Sequence, residues 1–168
     1  MADFAQELTL HIPRLRRYAR ALTHNVAWAD DLVQDTLERA MRRRWLFRLN
    51  SNLTAWLLTM LHRLYLNDLA RQRSTDSMTA AAEDAAISHD PGLRLDMQQA
   101  LLRISAEHRA VILLVGLEQL TYQEAADVLG IPVGTVMSRL ARARGHLQQL
   151  LSGQPAGHKS SAHLSRIK

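Results

Sequence analysis

The stretch LTYQEAADVLGIPVGTVMSRLARAR, Leu120 to Arg144, decides the fold. Thr121-Tyr122-Gln123-Glu124 has the hydroxyl-x-x-carboxylate order of a capping box, in which each side chain satisfies the other residue's backbone N–H. It predicts a short helix through Leu129 that stops at Gly130, then a turn over Ile131-Pro132-Val133-Gly134. A longer helix follows, from about Thr135 to Leu151. Short capped helix, glycine-containing turn and longer helix make the helix-turn-helix plan. Helical periodicity gathers Val136, Leu140, Ala143, Leu147, Leu150 and Leu151 on one side of the second helix. Thr135, Ser138, Arg142 and Gln149 fall on the other, with Arg139 and Arg144 beside the seam. A major-groove reader needs short polar groups and arginines on the face not used for packing. Arginine bonds guanine O6 and N7, or grips phosphate. The same arginines would also suit a merely solvated helix, so the motif alone leaves both open.

Working upstream, Ser105-Ala106-Glu107 opens a helix whose Val111 to Val115 run is apolar nearly all round and is expected to be buried. Before it, Asp90-Pro91 has the order of an N-cap followed by a first-turn proline. Residues 74–89 lose the helical period and are rich in Ser, Thr, Ala and Asp, and residues 74–96 carry 1 basic against 5 acidic residues. Residues 1–73 carry 12 basic against 7 acidic, and residues 97–151 carry 5 against 4. An acidic segment between two basic-to-neutral blocks is what a flexible linker between two domains looks like. The N-terminal block has three helical stripes: Leu8, Ile12, Leu15, Ala19 and Leu22; then Leu32, Val33, Leu37, Ala40 and Met41; then Leu53, Trp56, Leu57, Met60, Leu61 and Leu64. The second helix is expected over Ala29–Arg44, with Asp30 and Asp31 near its positive end and Arg42 to Arg44 near its negative end. Asn52 is a good N-cap for the third.

The expected fold is therefore all-α: two small helical domains joined by a flexible linker, the C-terminal one a helix-turn-helix. The boundaries are 1–73, a linker at 74–96, 97–152, and a disordered tail at 153–168 that is rich in Gly, Ser, His and Lys. The net charge of +5 suits a polyanionic partner without requiring one. With no cysteine there is no disulfide framework and no thiolate zinc site. None of the 8 histidines forms an H-x-x-x-H pair, and no phosphate loop or nucleophile elbow is present. The expectation is a cytoplasmic non-enzyme with no cofactor, no metal, no small-molecule substrate and no membrane insertion.

At this point the chain resembles a family. Leu120 to Ala126, Leu129 to Val136, Ser138-Arg139-Leu140 and Arg142-Ala143-Arg144 resemble the fourth conserved region of extracytoplasmic-function sigma factors, of the sigma-70 family. In that family this region binds the minus-thirty-five promoter element. The resemblance implies that role for Thr135, Met137, Ser138, Arg139, Arg142 and Arg144. Met137 departs from the pattern, standing where the family often carries a basic residue. Independently, Ala29 to Thr36 resembles the helix that docks on the polymerase clamp. Phe47-Arg48, Ser51-Asn52-Leu53, Ala55-Trp56-Leu57 and Asn67-Asp68 resemble the minus-ten recognition and melting elements.

The resemblance implies that Asp31, Leu32, Gln34, Asp35 and Glu38 bind core polymerase. It implies that Arg48, Asn50, Ser51, Asn52, Arg63, Asn67 and Arg71 act on the minus-ten element, where amides and hydroxyls of a loop can bond the edges of a flipped base. The bland alternatives are a solvated acidic face, ordinary turn and capping residues, and a core role for Trp56. Aromatic residues make up only 5% of the chain, so extensive base stacking is not expected. Expected partners are the RNA polymerase core (clamp and flap), promoter DNA and an anti-sigma factor. The expected function is promoter-specific transcription initiation. The competing functions are a sigma-like mimic that captures a regulator, and a simple helix-turn-helix transcription regulator.

Overall fold

The computed structural model of the chain describes residues 2–76 and 93–153. These residues are helical, with no strand among them. Seven α-helices follow in order: α1 (Ala2–Thr23), α2 (Val26–Arg42), α3 (Leu53–Asp76), α4 (Leu93–Arg103), α5 (Ala106–Ile112), α6 (Tyr122–Leu129) and α7 (Val133–Leu151). A 3-10 turn at Arg44–Leu46 follows α2, and α5 widens into a π segment over Leu113–Leu117.

Several boundaries differ from expectation, each for a local reason. Helix α2 begins at Val26 because Asn25 caps it, its side chain accepting from the Trp28 N–H. Asp30 and Asp31 therefore lie in its second turn. Helix α7 begins at Val133, with Pro132 at its N-cap, two residues before the expected start. Helix α3 continues to Asp76, so residues 74–76, expected in the linker, are helical. The Asp90-Pro91 cap and the tail beyond Gly153 lie outside the described residues.

Helices α1, α2 and α3 enclose one apolar group: Leu15, Tyr18 and Leu22 from α1, Ala29, Leu32 and Val33 from α2, and Leu57, Leu58 and Leu61 from α3. The expected third stripe is present, but α3 also buries Leu58 and Tyr65 off that stripe, since α2 covers one side and α6 another. Helices α4 to α7 enclose the second group, with Ile104, Val111, Leu114, Ala125, Val128, Val136 and Leu140. Of the apolar run in the α5 region, Val111, Leu113 and Leu114 are buried, while Ile112 and Val115 are half-buried. The two groups touch: α1 packs on the π segment and α3 on α6, making the apolar interior continuous.

Among its titratable groups, the interior contains a histidine with a predictable consequence. His62 of α3 is 6% exposed, its ring 5.9 Å from that of Tyr65. Burial pushes its pKa down from 6.5 to about 4. As pH falls through that window the unfolded chain takes up the proton first, so stability is full above the upper value and is lost below it. Between pH 7 and pH 5 the expected loss is about 2 kcal/mol. Urea unfolding at the two pH values measures it, and His62→Leu should remove the share due to His62 while leaving that of His24, whose pKa burial also pushes down from 6.5 to about 4. An unchanged slope in the variant would place the acid sensitivity elsewhere.

Candidate nucleic-acid and polymerase interface

The helix-turn-helix is built as its sequence dictates. Thr121 Oγ1 accepts from the Glu124 N–H at 3.1 Å, and Glu124 Oε2 accepts from the Thr121 N–H at 2.9 Å. Gly130 ends α6 with φ of 65°, in the left-handed region where a Cβ is strained. The chain then bends so that the Ile131 N–H reaches the Ala126 carbonyl at 3.1 Å. Helix α7 buries Val136, Leu140 and Ala143 against the preceding helices. That leaves Met137 (52% exposed), Ser138, Arg142 and Arg144 facing solvent, while Thr135 is half-buried. Arg139 is half-covered and lies 3.6 Å from Glu107, which orients it along α5. Four of the six expected minus-thirty-five residues are thus exposed, Thr135 is half-buried, and Arg139 lies beside an exposed carboxylate.

Between α2 and α3 the chain runs through an exposed loop anchored by one ring. Phe47 stacks at 5.3 Å from Trp56 and 6.2 Å from Phe4, pinning the loop to α1 and α3. The Arg48 carbonyl accepts from both the Ser51 N–H (2.9 Å) and the Ser51 hydroxyl (2.7 Å), which fixes the turn. Arg48 and Asn50 project into solvent. Asn52 has two attachments: its Oδ1 accepts from the Ala55 N–H at 3.3 Å, capping α3, and its Nδ2 donates to Glu124 Oε1 at 2.8 Å. Those bonds hold the Glu124 carboxyl below its ordinary pKa, that from Asn52 first and those from Thr121 next. Arg63, Asn67 and Arg71 are exposed on α3, Arg71 bridging to Asp68 at 2.9 Å. Trp56, expected first as core, is half-buried within the Phe47 stack.

On α2, Asp31, Gln34, Asp35 and Glu38 form an exposed face, with Glu38 paired to Arg42 at 2.7 Å. Leu32 does not belong to it. At 1% exposure it is packed in the core beneath α2, so its expected contact with polymerase is corrected to a supporting role. A groove between α1 and α2, lined by Ile12, Val33, Leu37 and Met41 with Gln34 and Glu38 at its edge, adjoins the acidic face.

Sequence reasoning missed Trp45 and Leu49, which are 74% and 93% exposed on the loop beside Arg48. The low aromatic content argued against stacking on average, but one outward tryptophan suffices to stack one base. It also missed Glu118, which is fully buried against Arg14 and Arg17. Among the described residues no cluster of His, Asp and Glu is placed to hold a metal ion, and no helix is long and apolar enough to cross a membrane.

Comparison with known proteins was consistent across the chain. Residues 8–62 match the family described as the sigma2 domain of PhyR, and residues 94–147 match sigma-70, region 4. The ECF RNA polymerase sigma factor EcfG of Rhodopseudomonas palustris is 36% identical, with 83% of this chain and 80% of that protein covered. The sigma factor RpoE of Bartonella quintana, solved in complex with the anti-sigma factor NepR, superposes with a TM-score of 0.82 at 34% identity, covering 90% of this chain and 98% of that one. The anti-anti-sigma factor PhyR of the same organism shares the fold at 18% identity and a TM-score of 0.59, covering 87% of this chain and 49% of that one. The helix-turn-helix, the capped loop before α3 and the exposed acidic face of α2 therefore have a common explanation: this chain belongs to the ECF RNA polymerase sigma factors.

Proposed function

We propose that the chain binds core RNA polymerase through Asp31, Gln34, Asp35 and Glu38 of α2 and directs it to promoters bearing two separate elements. Thr135, Met137, Ser138, Arg139, Arg142 and Arg144 read the minus-thirty-five element in the major groove. Arg48, Asn50, Ser51 and Asn52 hold an extruded base of the minus-ten element, while Arg63, Asn67 and Arg71 grip the adjoining backbone. Residues 1–73 and 97–152 act as the two domains. The protein works in the cytoplasm beside the polymerase, and an anti-sigma protein restrains it, as the partner of the Bartonella relative suggests. The chain contributes recognition only; nucleotide addition belongs to the polymerase.

The observation that carries this proposal is the division of α7. One face is fixed in the core by Val136, Leu140 and Ala143, and the other offers Ser138, Arg142 and Arg144 to solvent in the pattern of a groove reader. Purified core enzyme with this protein should produce a discrete transcript from promoters enriched by the complex. Failure of folded protein to bind core enzyme would defeat the proposal.

A second function is favoured by the match of residues 8–62 to the sigma2 domain of PhyR. A sigma-like mimic would capture an anti-sigma protein yet direct no transcription. The retained arginines of α7 weigh against it, and the same reconstitution separates the two.

A further inference from the structure

Helix α2 and the turn after it are divided in charge along their length. Residues 26–38 carry four carboxylates and no arginine or lysine, whereas residues 39–48 carry five arginines and no carboxylate. Asp31 and Asp35 stand four apart on the acidic part, and Arg39 and Arg43 four apart on the basic part, so each pair is about one turn long. All four are exposed, and none makes an ion pair with another described residue. Beside them lies the groove between α1 and α2, about 520 Å³, with Ile12, Val33, Leu37 and Met41 inside it and Gln34 at its rim. Asp30, bridged to Arg16 and Arg20, closes one end. Trp45, on the 3-10 turn that follows α2, is 74% exposed and does not fill that groove.

We infer that two copies of this chain pair through α2 in an antiparallel, two-fold arrangement, Trp45 of each entering the α1–α2 groove of the other. Charge order selects the direction. Two α2 helices in parallel register would set carboxylate against carboxylate and guanidinium against guanidinium. With a two-fold axis beside Leu37, Arg39 lies opposite Asp35 of the other copy and Arg43 opposite Asp31, and symmetry forms each pairing twice. The same register sets Trp45 opposite Ala29, next to Asp30 at the end of the groove. An indole there covers Val33 and Ile12, and its N–H can donate to the Gln34 amide oxygen.

The two features contribute differently. Exposed ion pairs are screened by water and salt, so the charges orient the copies and speed their encounter more than they hold them. A tryptophan seated in an apolar groove supplies most of the affinity. The result is a weak, reversible pair with a Kd on the order of 10 μM. Pairing covers Asp31, Gln34, Asp35 and Glu38, so a paired copy cannot dock on core polymerase. That consequence, unlike the pairing itself, rests on the sigma function proposed above.

The test is sedimentation equilibrium of the full chain. Its mass should rise from 19.0 kDa toward twice that value as concentration increases from about 1 to about 100 μM. W45A should weaken the association at least about 10-fold. D31R/D35R alone and R39D/R43D alone should each stay monomeric, because each sets like charges opposite. Mixed in equal amounts, these two variants should form a dimer again, since every opposed pair is then of opposite sign. Misfolding cannot imitate that restoration. A parent protein that stays monomeric throughout would overturn the pairing and leave the groove to the polymerase alone. A dimer that survives both charge reversals, or variants that do not recombine on mixing, would also overturn it. Core polymerase added to the paired protein should yield complexes with one copy each, and a dimer bound intact on core enzyme would overturn the masking. If no form binds core enzyme but mixing restores the dimer, the pairing stands and the sigma function fails, so the two failures are distinguishable.

Discussion

D31R/D35R is expected to lose at least about 100-fold in affinity for core RNA polymerase while keeping its fold. Both side chains are exposed on α2, and neither makes an ion pair among the described residues, so replacing them removes no internal contact. They lie four residues apart, one turn along the same face, beside the groove edged by Gln34 and Glu38. Two reversals change the local charge by four units. Against a basic partner surface each attraction becomes a repulsion, and like charges brought together at an interface cost several kcal/mol. Glu38 is the poorer choice, because its replacement would also release Arg42. Binding is read by competition with a labelled sigma factor, and helicity by circular dichroism. If the variant binds core enzyme as tightly as its parent, α2 is not the docking face.

What could be read from the sequence was whatever is decided within about four residues. The Thr121–Glu124 capping box, the Gly130 stop, the Asn52 cap and the Ser105 cap all formed as their local chemistry required, and helical periodicity picked out most of both cores. Errors arose where a distant element decided. The resemblance implied a polymerase contact for Leu32, but its place on the apolar stripe of α2 decided, and packing of that stripe against α1 and α3 buries it. Two aspartates drew the expected start of α2 to Ala29, whereas Asn25 supplies the better N-cap. Glu118 carried no signal at all. Its partners are 101 and 104 residues away, and a lone glutamate after Leu117 reads as an ordinary exposed residue. Trp45 turned outward because the Phe47 ring, not its own, took the site against Phe4 and Trp56.

R142A/R144A is expected to weaken promoter binding by the polymerase complex by roughly 10- to 1,000-fold, with little change in thermal stability. Neither side chain packs in the core, whereas the buried face of α7 that holds the helix in place is untouched. The size of the effect depends on what each arginine meets, and its salt dependence tells which. A phosphate contact releases counterions, so losing two should reduce the slope of log affinity against log salt by about 2, uniformly across promoter sequences. A bidentate guanine contact is worth about 1–3 kcal/mol, and its loss relaxes the base preference at one position with a smaller change in slope. Arg139 differs from both, since Glu107 lies 3.6 Å from it and neutralises part of its charge. E107Q should therefore strengthen phosphate binding modestly, the opposite sign from the double variant. Met137 adds only an apolar contact, suited to a thymine methyl, so M137A should alter one base preference and leave the salt slope unchanged. A double variant that keeps both its affinity and its slope would mean that α7 does not lie in the groove.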